Sequence, residues 1–206
     1  YTTKAYASEK SPLELSFIPI HPGDILSYGG YHFEVKLLKG HTFGQCGLYE
    51  PEKKLMFVGD QLMTTIVPIV GTQETDLGML KCYLDSLGDL KHNYKDCYFL
   101  PCHYGEIRNV EKEVNRIILG YLEKCEIMKH VLEEAGTALT TRDIGVRTYG
   151  RSQGPPDYAH FASCTYIWAK TFSCMEYMMG EGFVERSERD GIIYWKAPSI
   201  HFENNR

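Results

Sequence analysis

Between Val114 and Ala135 apolar residues return every three or four positions, through Ile117, Ile118, Tyr121, Leu122, Cys125, Met128, Val131 and Leu132, and Gly136 follows. That period predicts one long helix with a single apolar stripe, closed by a glycine that tolerates the left-handed conformation. The stripe needs a surface to bury against, and it divides the chain. Ahead of about Glu111 lie short β-prone runs punctuated by turn residues; after it come helices and a final hairpin. Two domains are therefore expected, 1–110 and 111–206, within the reach of a 206-residue chain with 43% apolar residues.

In the first region, Ile25 to Tyr28 and Tyr31 to Leu38 flank Gly29-Gly30, a pair that supplies the positive φ angles of a tight hairpin. A second pair follows: Cys46 to Tyr49, a turn at Glu50-Pro51-Glu52-Lys53, and Leu55 to Val58, whose unbroken apolar run suits a buried strand. Leu77, Leu80, Leu84 and Leu87 predict a helix from Thr75, its N-cap, to Lys91. Cys97 to Leu100 is a short strand stopped by Pro101. Beyond Gly136, a helix is expected at the Thr140-Thr141 caps and another over Ala159 to Met179, after the break at Gly150 to Pro156. A hairpin follows, from Phe183 to Trp195 with its turn at Asp190-Gly191. Three helices and a hairpin are the element order of a winged helix-turn-helix. Trp168, Phe172, Met175, Tyr177, Met178 and Met179 read as core.

Seven cysteines without CxxC spacing indicate reduced thiols rather than a disulfide framework. No run of about 18 apolar residues occurs and no signal peptide opens the chain, so a cytoplasmic location and no membrane contact are expected. The chain starts at Tyr1 rather than Met, which suggests a piece of something longer.

His41, Asp60 and His103 each lie at or just past the end of an expected strand, beside glycines, in Gly40-His41-Thr42-Phe43-Gly44, Gly59-Asp60 and Pro101-Cys102-His103-Tyr104-Gly105. There the backbone is fixed while the side chain stays uncovered. Two imidazoles and a carboxylate suit zinc, iron or manganese, and a carboxylate bridges two ions. Each of these residues, taken singly, is as well explained as a turn cap or a solvated side chain. His21, before Pro22-Gly23, and His32, between Tyr31 and Phe33, read as structural or solvated. Cys102 reads as tight packing beside His103.

From about Asp24 to Gly105, the order of hairpin, G-H-T-x-G, strand-turn-strand into Gly59-Asp60, apolar helix and P-x-H-x-G resembles the second half of the metallo-β-lactamase superfamily domain. Members with a winged-helix-like C-terminal extension, including the β-lactamase-like protein 2 group, are similar over nearly the whole chain. The resemblance implies an α/β fold: the second half of an αββα sandwich followed by a small winged-helix-like domain. It implies two divalent ions, zinc foremost, with iron or manganese as alternatives. The positions of His41 and His103 are metal ligands in that family, and that of Asp60 bridges both ions. The family's leading motif, H-x-H-x-D-H, is absent; no two of the eight histidines stand two residues apart. The expectation is a truncated chain, binding metal weakly and inactive alone. The exposed inner face of such a half sandwich needs the missing N-terminal half or a second copy of the chain.

From Glu111 onward, 12 Lys and Arg stand against 14 Asp and Glu, a balance of −2 within a net charge of −5, and nucleic acid is not the expected partner. Arg142, Arg147 and Arg151 form a local basic group that keeps a nucleic-acid-binding reading in view. The leading expectation is a metal-dependent hydrolase of a small-molecule thioester, ester or lactam. A metal-dependent endonuclease of the same fold, and a non-catalytic winged-helix binding or assembly module, are the alternatives.

Overall fold

A computed structural model describes residues 18–70, 78–150 and 158–198. The first hairpin forms where the sequence places it: β1 (Ile25–Tyr28) and β2 (Tyr31–Leu37) pair antiparallel across Gly29 and Gly30, whose φ angles are 60° and 83°. The two positive values are those a two-residue turn needs to match strand twist. β3 (Cys46–Glu50) and β4 (Leu55–Gly59) extend the meander, and β5 (Tyr98–Pro101) joins β4 in parallel after the crossover helix α1 (Met79–Asn93). The result is a mixed five-stranded sheet in the order β1-β2-β3-β4-β5.

The sheet has two unlike faces. Met56, Val58 and Phe99 point one way and are completely buried, in the same core cluster as Leu80, Tyr83, Leu87 and Leu90 of α1. Phe57 points the other way and is 40% exposed. The apolar run at Leu55 to Val58, expected as a buried strand, is fully buried at Met56 and Val58 only: period-2 alternation carries Phe57 to the more exposed face. Register places Leu26, Phe33, Val35, Leu48, Phe57 and Leu100 on that second face, where Val35 is buried, with Phe33 and Phe57 in edge contact at 5.7 Å between ring centres.

α1 begins at Met79, with Gly78 ahead of it in the left-handed conformation and no side-chain cap; Thr75, the expected cap, lies outside the described residues. The long helix α2 (Val110–Ala135) is capped by Asn109, whose side chain accepts from the Lys112 N–H, and it ends on Gly136 at φ 59°. Its buried stripe is Val114, Ile117, Tyr121, Cys125, Met128 and Leu132. β6 (Leu139–Thr140) leads into α3 (Thr141–Tyr149), closed at its start by a reciprocal capping box between Thr140 and Asp143. α4 (Tyr158–Gly180) and the hairpin β7 (Glu185–Arg189) and β8 (Ile192–Lys196) complete the chain, and β6 pairs with β8 in a second, three-stranded sheet. Met175 and Met178 are buried as expected, whereas Trp168 is 36% exposed. One continuous cluster of buried side chains runs from Leu38 through α1 and α2 to Trp195.

Among the described residues no helix is long and apolar enough to cross a membrane. Cys46, Cys82, Cys97, Cys102, Cys125 and Cys174 are all free thiols.

Candidate metal centre

Strand direction brings three distant residues to one place. β2 and β4 each pair antiparallel with β3, so they run the same way, and β5 is parallel to β4. His41, Asp60 and His103 follow β2, β4 and β5, and therefore all leave the sheet at one edge, where the carboxyl ends of like-directed strands open into a crevice.

Close packing fixes each exit. A side chain at Gly40 would place its Cβ 2.3 Å from the Tyr83 ring, and one at Gly59, φ 56°, would lie 2.2 Å from the Gln45 amide. Gln61, fully buried, ties the turns together: its amide donates to the Lys39 carbonyl at 3.2 Å and to Ser86 Oγ at 3.0 Å. Its Oε1 accepts from the His41 N–H at 3.4 Å, while its own carbonyl takes the Tyr83 hydroxyl at 2.8 Å. The Cys102 N–H donates to the Gly59 carbonyl at 3.1 Å, which fixes the turn carrying His103 to the one carrying Asp60.

The three side chains converge through Asp60. His41 Nε2 lies 3.6 Å from Oδ2, and His103 Nε2 lies 3.6 Å from Oδ1. Both distances are too long for a hydrogen bond. They are close to the roughly 3.4 Å that separates two donors bound about 2.1 Å from one tetrahedral ion. Asp60 Oδ1 is buried without a hydrogen-bond partner, an arrangement that costs free energy unless something positive meets it. His41 Nδ1 stands 2.7 Å from the Ile69 carbonyl and donates to it in the neutral tautomer, which leaves Nε2 as a lone-pair donor toward Asp60.

Each imidazole faces its own carboxylate oxygen, the pattern of a bridging carboxylate. Among the described residues, no group of three His, Cys, Asp or Glu side chains could hold an ion. His41 with Asp60, and His103 with Asp60, are two donor pairs, each short of three protein ligands. The residues fit a metal pair in part.

These groups stand in a cleft of about 560 Å³. Its other wall comes from the loop after Asp60 and from α4, with Met63, Ile66, Pro68, Ile69, Tyr166 and Ala169. None of these six was singled out by sequence reasoning. Tyr166 and Ala169 are spaced like neighbours on one helix face, a signal that core and cleft share, and the loop has no periodicity at all. Arg142 and Arg147 are exposed on α3 and do not line this cleft; Arg151 lies outside the described residues. His21 and His32 are exposed, the first donating its N–H to Asp24 at 2.6 Å and the second within 2.8 Å of Ser27 Oγ. Cys102, expected to be tightly packed, is exposed instead, because its turn projects from the sheet edge.

No protein-family model matches the chain. Over 40 residues, 19% of this chain and 19% of the relative, it is 50% identical to the hydroxyacylglutathione hydrolase GloC of Haemophilus influenzae. A metallo-beta-lactamase family protein of Thermus thermophilus superposes with a TM-score of 0.74 at 22% identity, covering 89% of this chain and 55% of that one. A beta-lactamase domain protein from Burkholderia ambifaria gives 0.74 at 18% identity, covering 89% and 53%. The chain thus spans about half the length of the solved structures it matches. A mixed sheet with its helices on one face, and agreement with both structures over nine-tenths of the chain, establish that this chain has the fold of the metallo-β-lactamase family.

Proposed function

We propose that the protein is a metal-dependent hydrolase acting on a small-molecule ester, thioester or lactam, with His41, Asp60 and His103 as metal ligands. The observation that carries this reading is the buried, partnerless Oδ1 of a carboxylate whose two oxygens each face an imidazole Nε2. Two divalent ions, zinc ahead of iron or manganese, would supply Lewis acidity there, polarising a scissile carbonyl and lowering the pKa of water toward neutrality. Asp60, with His41 and His103, would hold them. The Ile69 carbonyl orients His41, and the loop it belongs to forms one side of the cleft.

With one imidazole and one carboxylate oxygen for each ion, these residues alone bind metal weakly and do not sustain turnover. Further ligands would come with a layer of polypeptide laid over the open sheet face, an N-terminal half of the same protein or a second copy of the chain. The region from Glu111 onward, winged-helix-like in its element order, serves on this reading as the wall of the cleft.

The endonuclease alternative is disfavoured by the lining of the cleft, which contains no Lys or Arg among the described residues. Dialysis against zinc, followed by assays with an S-acyl thioester, a phenyl ester and single-stranded RNA, tests the proposal. Zinc retained by the wild type and lost in Asp60→Asn, with any thioester or ester cleavage requiring that zinc, supports it. Zinc-dependent cleavage of RNA alone would move the assignment to the endonuclease. No zinc bound by the wild type, or equal zinc in the wild type and Asp60→Asn, removes these residues as metal ligands and favours the non-catalytic module.

A further inference from the structure

We infer that the cleft beside Asp60 is built for an uncharged, apolar chain of its substrate, an alkyl or acyl group flanking the bond to be cleaved. The inference rests on the hydrolase reading for what happens at that bond, but its own evidence is the wall opposite the imidazoles. Met63, Ile66, Pro68 and Ile69 from the loop, with Tyr166 and Ala169 from α4, present carbon to the cleft.

The nearby cations are turned elsewhere. The guanidinium of Arg116 donates to the carbonyls of Met63 at 2.6 Å and Ile66 at 3.2 Å and pairs with Glu113 at 2.8 Å. The Lys170 ammonium lies over the Tyr121 ring, 4.7 Å from its centre. Among the described residues an anionic or polyphosphate substrate would find no counter-charge along this wall, whereas an aliphatic chain would lose nothing by leaving water.

The wall is also preformed. Besides the two bonds from Arg116, the Tyr121 hydroxyl donates to the Pro68 carbonyl at 2.7 Å and accepts from the Val70 N–H at 3.0 Å. Thr64 Oγ1 donates to the Tyr104 carbonyl at 3.1 Å, joining the loop to the turn that carries His103. Helices α2 and α4 therefore hold an apolar surface in place beside the metal donors, and little ordering is left for a ligand to bring about. The volume lies within the roughly 300–1,000 Å³ usual for small-molecule sites.

The test uses the 206-residue chain in EDTA, so that metal plays no part, with straight-chain 1-alkanols from butanol to octanol as probes. The methyl resonances of Met63 and Ile66 report binding. Both are expected to shift, with Kd falling up to about fourfold for each added methylene, the worth of burying one CH2. Ala169→Trp, which fills the cleft, should abolish the shifts. Tyr166→Ser, at an exposed position, should weaken octanol binding severalfold with the far-ultraviolet circular dichroism unchanged, and it carries the test should the tryptophan variant not fold. Silent Met63 and Ile66 methyls, or a Kd indifferent to chain length, overturn the inference. Failure of the hydrolase reading appears separately, as loss of zinc retention, and leaves the alkanol series untouched.

Discussion

Gly40 holds His41 in position by having no side chain. Its φ of 149° is one that other residues rarely adopt, and a Cβ there would come within 2.7 Å of the Tyr83 Cα, part of the helix backbone that cannot swing aside. Gly40→Ala is expected to cost roughly 2–4 kcal/mol in urea unfolding, since either α1 or the turn must move. The three candidate ligands stood out in the sequence through the ordered motifs Gly40 to Gly44, Gly59-Asp60 and Pro101 to Gly105, whose strand ends the structure brings to one sheet edge. The reason for Gly40 was not legible. It depends on Tyr83, a residue far along the chain whose place beside the turn follows from packing alone. Gln61 was equally hidden; a buried amide joining two turns and α1 leaves no local pattern.

At the scale of elements, α2 acts on the candidate centre through the loop of residues 61–70. Tyr121 is completely buried, and burial pushes its phenol well above its ordinary pKa, so the hydroxyl stays protonated and keeps both of its bonds to the loop. Tyr121→Phe leaves the Val70 N–H and the Pro68 carbonyl without that partner, at an expected cost of about 1–3 kcal/mol in denaturant titration. Because the Ile69 carbonyl lies between those two points and receives the His41 ring N–H, the same variant should mix the His41 tautomers. Nitrogen-15 chemical shifts of the ring will show this as movement of Nδ1 away from the protonated value. The hairpins were readable from their turns, Gly29-Gly30, Glu50 to Lys53 and Asp190-Gly191, and α2 from its apolar stripe. The apolar run at Leu55 to Val58 misled in part: composition alone does not reveal that Phe57 lies on a face left partly exposed among the described residues.

Across the whole molecule, the open sheet face is the unbalanced feature. Leu26, Phe33, Leu48, Phe57 and Leu100 share it, with Phe57 and Leu37 each 40% exposed. A patch of this kind favours association. Sedimentation velocity is expected to show the chain self-associating as concentration rises, and Phe57→Lys, which sets a charge in the middle of the face, should return it to monomer. A wild type that stays monomeric at every concentration would exclude a second copy of the chain as that layer and leave the N-terminal half. The same layer bears on the metal centre, because each pair of donors is incomplete without additional ligands. If Asp60 joins the two imidazoles into one shared metal centre, isothermal titration of zinc into the wild type and into Asp60→Asn will show it. Weak but measurable binding is expected in the wild type, reduced more than about tenfold when the carboxylate becomes an amide. Equal affinity in the two proteins would contradict it.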